Sequence, residues 1–348
     1  MKKVLFATTA LVASAGVASA QDLGISISGF AEIGIAGGSG FPDVATGSGP
    51  ITDPVDRNKT RLHNDIGIQI DAVGETDNGI SFGMSFEIDD SNGNDRVNGT
   101  PGFDNEFAFV SSGPVTFTMG EINGAYDQRV DEASWGGSLT DDHTAHGGFN
   151  TTNGADGAYD GQIARLDYDM GAFGASISVE QDDSANDLNP IWGIGVSYGL
   201  ELTGVDLDFG AGFMSHDENN GRVVAGAQPF LGIESAWGLS VGAGFDNGLK
   251  LAANYESISI DEAKQATVTG DAERWTIGAG YDFNNLSVEA NYGQTNFDSA
   301  DNIDGFGLAA QYDLGGGLQA QAGYGNTNVP SAVGDDVETW SLGLSMSF

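Results

Sequence analysis

Arg61-Leu62-His63-Asn64-Asp65-Ile66-Gly67-Ile68-Gln69-Ile70-Asp71-Ala72 sets Leu62, Ile66, Ile68, Ile70 and Ala72 on even positions and Arg61, His63, Asp65, Gln69 and Asp71 on odd ones. Successive side chains of a strand point to opposite faces, so this stretch predicts a strand with one oily and one charged face. Asp77-Asn78-Gly79 follows, a sequence with the chemistry of a tight hairpin turn. Beyond it, Ile80-Phe82-Met84-Phe86-Ile88 alternates with Ser81, Ser85, Glu87 and Asp89. The two runs form an antiparallel hairpin, oily on one side and polar on the other.

The pattern extends in both directions. Upstream, Leu23, Ile25, Ile27, Ile33 and Ile35 share a face. Downstream, Leu166-Tyr168-Met170 opposes Arg165-Asp167-Asp169, and sets such as Trp192-Ile194-Val196-Tyr198, Trp275-Ile277-Ala279-Tyr281 and Trp340-Leu342-Leu344-Met346-Phe348 repeat it. With weaker runs at 103–111 and 115–121, the chain carries about sixteen strands. From 222 to 238 one long strand is expected, with Leu231, Ile233 and Trp237 in phase with Leu239 to Phe245; an extra hairpin there would make eighteen.

Link lengths decide between architectures. Tight links such as Ser112-Gly113-Pro114, Gly171-Ala172, Asn284-Asn285 and Gly315-Gly316-Gly317 alternate with long polar ones, including 37–58, 90–102, 122–160 and 261–272. A β-sandwich has no cause to alternate in this way, whereas a transmembrane antiparallel β-barrel has short turns at one rim and long loops at the other. Trp192, Trp275, Trp340, Tyr255, Tyr292 and Tyr324 fall toward one rim and Tyr198, Tyr281 and Tyr312 toward the other, as two interfacial belts require. The expected fold is therefore all-β, a barrel of about sixteen strands.

Composition agrees. Of 348 residues 54 are Gly and none is Cys, which argues against a helix-rich chain and removes disulfide and thiolate chemistry. A net charge of −38 repels phosphate backbones, so no nucleic-acid partner is expected. Lys2 and Lys3, the apolar run Val4–Val17 and Ala18-Ser19-Ala20 have the form of a cleaved export signal over residues 1–20. Its removal leaves the barrel domain 21–348 with a net charge of −40.

The opening Gly24-Ile25-Ser26-Ile27-Ser28-Gly29, the pair Asn105-Glu106-Phe107-Ala108-Phe109-Val110 and Val115-Thr116-Phe117-Thr118-Met119-Gly120, and the ending Ser341-Leu342-Gly343-Leu344-Ser345-Met346-Ser347-Phe348 carry a resemblance. The mature chain resembles the general diffusion porins of Gram-negative outer membranes, in particular the alphaproteobacterial type. The resemblance implies a homotrimer of sixteen-stranded barrels, each with a water-filled pore narrowed by an inward-folded third loop. It also implies contact with outer-membrane lipid and lipopolysaccharide, and a terminal aromatic strand, ending at Phe348, that the outer-membrane assembly machinery reads. Where many relatives have a basic residue after the Gly closing the fifth strand, this chain has Glu121.

Sixteen strands enclose more space than side chains fill, so function rests on what narrows the lumen. Loop 122–160 is the candidate, carrying Asp127, Arg129, Asp131, Glu132, Asp141 and Asp142, with Trp135-Gly136-Gly137 small enough for close packing on the wall. Arg61 and Arg165 have inward parity, so acid on the loop is expected to face base on the wall. No catalytic residue is expected: Ser138, Asp142 and His143 lie near one another in sequence, but polar loop residues account for them. No cofactor is required, although calcium at the acidic stretches Asp89–Asp95 and Asp217–Asn220 is one expectation. The functions in competition are a passive or substrate-selective channel, a secreted acidic calcium-binding β-protein, and an outer-membrane hydrolase.

Overall fold

A computed structural model describes residues 24–39, 60–89, 102–139, 146–157, 159, 162–181, 189–216, 233–260, 271–298, 300–330 and 336–348. The chain forms β1 (Gly24–Gly38), β2 (Arg61–Glu75), β3 (Ser81–Asp89), β4 (Gly102–Ser112), β5 (Val115–Glu121), β6 (Gln162–Met170), β7 (Phe173–Glu180) and β8 (Ile191–Leu202). It continues as β9 (Val205–His216), β10 (Ile233–Phe245), β11 (Leu249–Ile260), β12 (Ala272–Phe283), β13 (Leu286–Phe297), β14 (Ile303–Gly315), β15 (Leu318–Asn328) and β16 (Val337–Ser347). Each strand pairs antiparallel with its sequence neighbours, and β1 pairs with β16 to close the barrel. At the seam the Gly29 N–H donates to the Phe348 carbonyl at 2.8 Å and the Phe348 N–H donates back to Gly29 at 3.0 Å. Closure leaves no open edge for another chain to pair with.

Two-residue links at Gly171-Ala172 and Asn284-Asn285 turn the chain sharply, with φ of 61° at Gly171 and 53° at Asn284. That sign of φ is what tight hairpins demand and what Gly and Asn tolerate best. The sixteen-strand expectation holds, and the predicted export signal lies outside the described residues.

Burial is inverted relative to a water-soluble protein. Ile68 is 45% exposed on the outside, whereas Asp71, three residues on and facing inward, is 6% exposed. Leu62, Ile66, Trp192, Ile194, Leu239, Ile277 and Leu342 are all exposed on the outer surface, and Glu32, Asp71, Glu180 and Asn291 are all buried within the barrel. A continuous apolar exterior of this kind is stable only against lipid. At the long-loop rim the outward aromatics meet across strands: Trp237 and Tyr255 lie 5.3 Å apart between ring centroids, Trp275 and Tyr292 5.6 Å, and Phe306 and Tyr324 5.8 Å.

One expectation is corrected. Ile233 does not share the outward face of Trp237, because the β10–β11 register shifts between Ile233 and Ser235 and reverses the parity. Ile233 is 7% exposed and points inward, while Trp237 faces out. Leu231 lies outside the described residues.

Candidate functional site: a loop seated inside the barrel

The segment after β5 turns into the barrel and runs along the inner wall before returning to β6. Its outgoing arm crosses β7 to β12, with the Ala125 N–H on Ser178 Oγ (2.8 Å) and the Asp131 N–H on Ser240 Oγ (2.9 Å). The Trp135 N–H and Ser134 hydroxyl then reach the Glu289 carboxylate on β13 at 2.8 and 3.1 Å. On the return arm the Gly147 N–H donates to Thr327 Oγ1 (2.9 Å), the Asn150 N–H to Thr276 Oγ1 (2.8 Å) and the Gly157 N–H to Glu180 Oε2 (3.1 Å). Thr152 Oγ1 donates to Asp127 Oδ1 at 3.0 Å and so joins the two arms.

Between the arms and the wall lies the apolar core of the molecule: Tyr126, Val130, Ala155, Ile191, Met214, Ile233, Ala236, Ile258 and Ala272. Each large side chain withdrawn from water there contributes about 1.5–3 kcal/mol, against about 0–1 kcal/mol for an exposed ion pair. Apolar packing therefore outweighs surface charge in holding the loop.

Glycine makes the fit possible. A Cβ on Gly195 would stand 2.1 Å from the Ala125 carbonyl oxygen, one on Gly278 2.2 Å from that of Ala133, and one on Gly293 2.4 Å from that of Gly148. These inward positions are where the loop backbone touches the wall. The glycine excess in the composition is thus in part a paved seat for the loop.

Where the loop meets the wall, a loop base meets wall acids. Arg129 is 7% exposed and turns toward the wall, donating from Nη1 to Asp169 Oδ1 at 2.7 Å and from Nε to Ser176 Oγ at 2.7 Å, with Asp167 at 3.6 Å. Arg165 on β6 donates to Asp167 at 3.0 Å and to the Asn123 carbonyl. The wall supplies the acids and the loop a base, and the wall arginine is neutralised by its own strand. Burial holds the His146 imidazole down at about 4, opposed by its contact with Asn291 and by Asp304. Burial pushes the Asp156 carboxyl up to about 7, against the Gly124 N–H that donates to it and with Glu180 adding to the rise.

The sequence profile of Gram-negative porins matches residues 7–332. The chain belongs to the Gram-negative porin family. It is 28% identical over 172 residues to outer membrane protein F of Serratia marcescens, a match covering 41% of this chain and about half (45%) of that protein. Among solved structures it is similar to a triple mutant of Rhodopseudomonas blastica porin, with 17% identity, a TM-score of 0.63, and coverage of 93% of this chain and 100% of that one. A further mutant of the same porin gives 16% identity and a TM-score of 0.64 at the same coverage. The likeness in structure is one of fold. The protein is an outer-membrane porin, and its family and fold point to a channel rather than an enzyme.

In this porin the residues singled out from sequence are dispersed. Asp127 staples the loop arms, Asp131 is exposed while its backbone is pinned to the wall, and Glu132 is half-buried. Glu121, at the end of β5, accepts the Asn105 N–H at 3.1 Å. Asp141, Asp142, His143 and the Arg61 side chain lie outside the described residues, as do the calcium candidates 90–95 and 217–220. Ser138 is fully buried beside Leu139, which packs on Gly34 and Gly343. Sequence reasoning missed Glu180, Glu289 and the inner apolar patch. The signal for the patch was available: Ile191, Ile258 and Ile260 sit out of phase with the lipid-facing residues of their strands.

Proposed function

We propose that this porin is a water-filled channel for passive diffusion of small hydrophilic solutes, with a preference for cations. One observation carries the preference. Among the described residues the cationic side chains are Arg129, Arg165, Lys250 and Arg274, and their nearest carboxylate contacts are 2.7, 3.0, 2.6 and 3.6 Å away. Asp131 on the loop and the inward-facing Asp206, Asp208 and Asp313 on the wall are exposed. The surplus charge reaching the lumen is negative, and low-dielectric walls focus it. Liposome swelling with solutes of equal size and opposite charge tests this: a cationic amino acid enters faster than an anionic one. Equal rates, or faster anion entry, contradict the preference.

The outer surface supports a homotrimer. Of the five Trp and nine Tyr, three lie on the loop and the rest on β6–β16, so β1–β5 carry none. Interfacial girdles of aromatic residues suit lipid, and a face without them suits protein. That face exposes Ile25, Ile27, Leu62 and Phe103 instead. The remaining perimeter meets outer-membrane lipid and lipopolysaccharide. Phe348, whose backbone closes the seam against Gly29, is the proposed signal for the assembly machinery.

A further inference from the structure

The chain's other Trp residues sit on the outward faces of strands, whereas Trp135 is inside the barrel and 39% exposed. Its surroundings fix it there. The Trp135 N–H and the Ser134 hydroxyl share the Glu289 carboxylate, and Ala133 rests its carbonyl on Gly278. The ring lies on the wall, with Cε3 and Cζ3 at 3.1 and 3.3 Å from where a Cβ of Gly280 would be, and Cζ3 at 3.4 Å from that of Gly278. Gly136 and Gly137, at φ of 77° and 111°, turn the loop away directly after it. The wall is therefore glycine under the indole, and the ring's free surface faces water in the lumen.

The charged groups beside it are the Glu289 carboxylate, which takes the Trp135 N–H, and the ion pair of Asp282 with Lys250. Asp282 follows Gly278 and Gly280 along the inward face of β12, about 7 Å beyond Gly280 by strand geometry. Lys250, the neighbouring cation, is neutralised by Asp282 at 2.6 Å, both side chains being partly exposed. An indole face attracts cations through its quadrupole and stacks on flat rings.

We propose that Trp135 is a stacking contact for aromatic cations crossing the lumen, so that the pore holds them longer than saturated cations of the same charge and size. The proposal rests on the channel function above and adds a solute class to it. At an exposed site such a contact slows departure by about two- to fivefold.

The test uses the full-length protein in planar bilayers, with potassium current read during addition of benzyltrimethylammonium or its saturated counterpart, cyclohexylmethyl-trimethylammonium. The wild type is expected to be blocked by the aromatic cation at about two- to fivefold lower concentration. Trp135→Leu is expected to abolish the difference and Trp135→Phe to keep most of it. Equal block of the wild type by both cations overturns the proposal, as does discrimination that survives in Trp135→Leu. If Trp135→Leu alters the potassium conductance itself, Trp135→Phe decides, since loss of discrimination with a ring still in place also overturns it. Absence of potassium conductance in the wild type contradicts the channel function instead.

Discussion

The main-chain carbonyl of Arg129 occupies the space where a side chain on Gly210 would begin: a Cβ there would stand 2.0 Å from that oxygen. Backbone cannot yield as a flexible side chain can. Gly210→Ala is therefore expected to lift the outgoing arm of the loop, costing about 1–3 kcal/mol of docking as an overpacked site does. Gly244→Ala, on the inner face of β10 with nothing within 4 Å of the new Cβ, is expected to be neutral. Single-channel recordings check the pair: Gly210→Ala gives larger or noisier currents, and Gly244→Ala matches the wild type.

Arg129 is the second element of the seat. Its guanidinium satisfies Asp169 and Ser176 and lies 3.6 Å from Asp167, and both Arg129 and Asp167 have side chains 8% exposed. Asp167 keeps Arg165 when Arg129 is removed, so the loss in Arg129→Ala is that of the guanidinium's bonds to Asp169 and Ser176, about 1.5–3 kcal/mol as for a hydrogen bond to a charged group. Arg129→Ala is expected to lower the denaturant midpoint in micelles. The double variant Arg129→Ala with Asp169→Asn is expected to lose little beyond Arg129→Ala alone, whereas losses that simply add argue against the pairing.

The barrel was legible in the sequence because a strand's period is fixed by geometry. Leu62 to Ala72 and Trp340 to Phe348 declare their faces without further information, and the alternation of link lengths orders the strands. The loop has no period. Parity could place Arg165, Asp167 and Asp169 on one inward face, but nothing in the spacing says that Arg129 turns to meet them. The glycines read as helix breakers and turn formers. Their role as seats for the Ala125, Arg129 and Ala133 carbonyls depends on contacts between segments far apart in sequence. Parity alone puts Ile233 on the wrong face for a related reason, since a bulge is a local event that reverses every parity beyond it.

Orientation in the bilayer is tested by neighbours. Ile68 faces outward at 45% exposure, and Gln69 faces inward, donating to Asp71 at 2.9 Å and to Ser85 at 3.3 Å. Ile68→Arg near mid-membrane is expected to cost about 2–4 kcal/mol in lipid vesicles, and Gln69→Arg much less. Equal losses contradict the assignment of faces.

The two buried titrating groups of the loop act with opposite signs. His146 is lowered from 6.5 to about 4, so its contribution to docking is complete above pH 6.5 and is lost as pH falls toward 4. Asp156 is raised from 3.8 to about 7, so its contribution is complete below pH 3.8 and is lost as pH rises through about 7. Current noise in His146→Gln is expected to rise less than in the wild type on acidification toward pH 4. Asp156→Asn is expected to quieten the channel above pH 7. Identical pH profiles for the two variants and the wild type contradict this assignment.

The zero-current potential across a planar bilayer separating concentrated from dilute KCl reads the sign of the charge that lines the lumen. Arg129, Arg165, Lys250 and Arg274 are each matched to a carboxylate, while Asp131, Asp206 and Asp208 stay exposed. The potential is therefore expected to have the sign of potassium crossing faster than chloride, and to shrink as both solutions are made more saline and the charges are screened. A potential of the opposite sign in dilute KCl, showing chloride preferred, contradicts an acid-lined lumen.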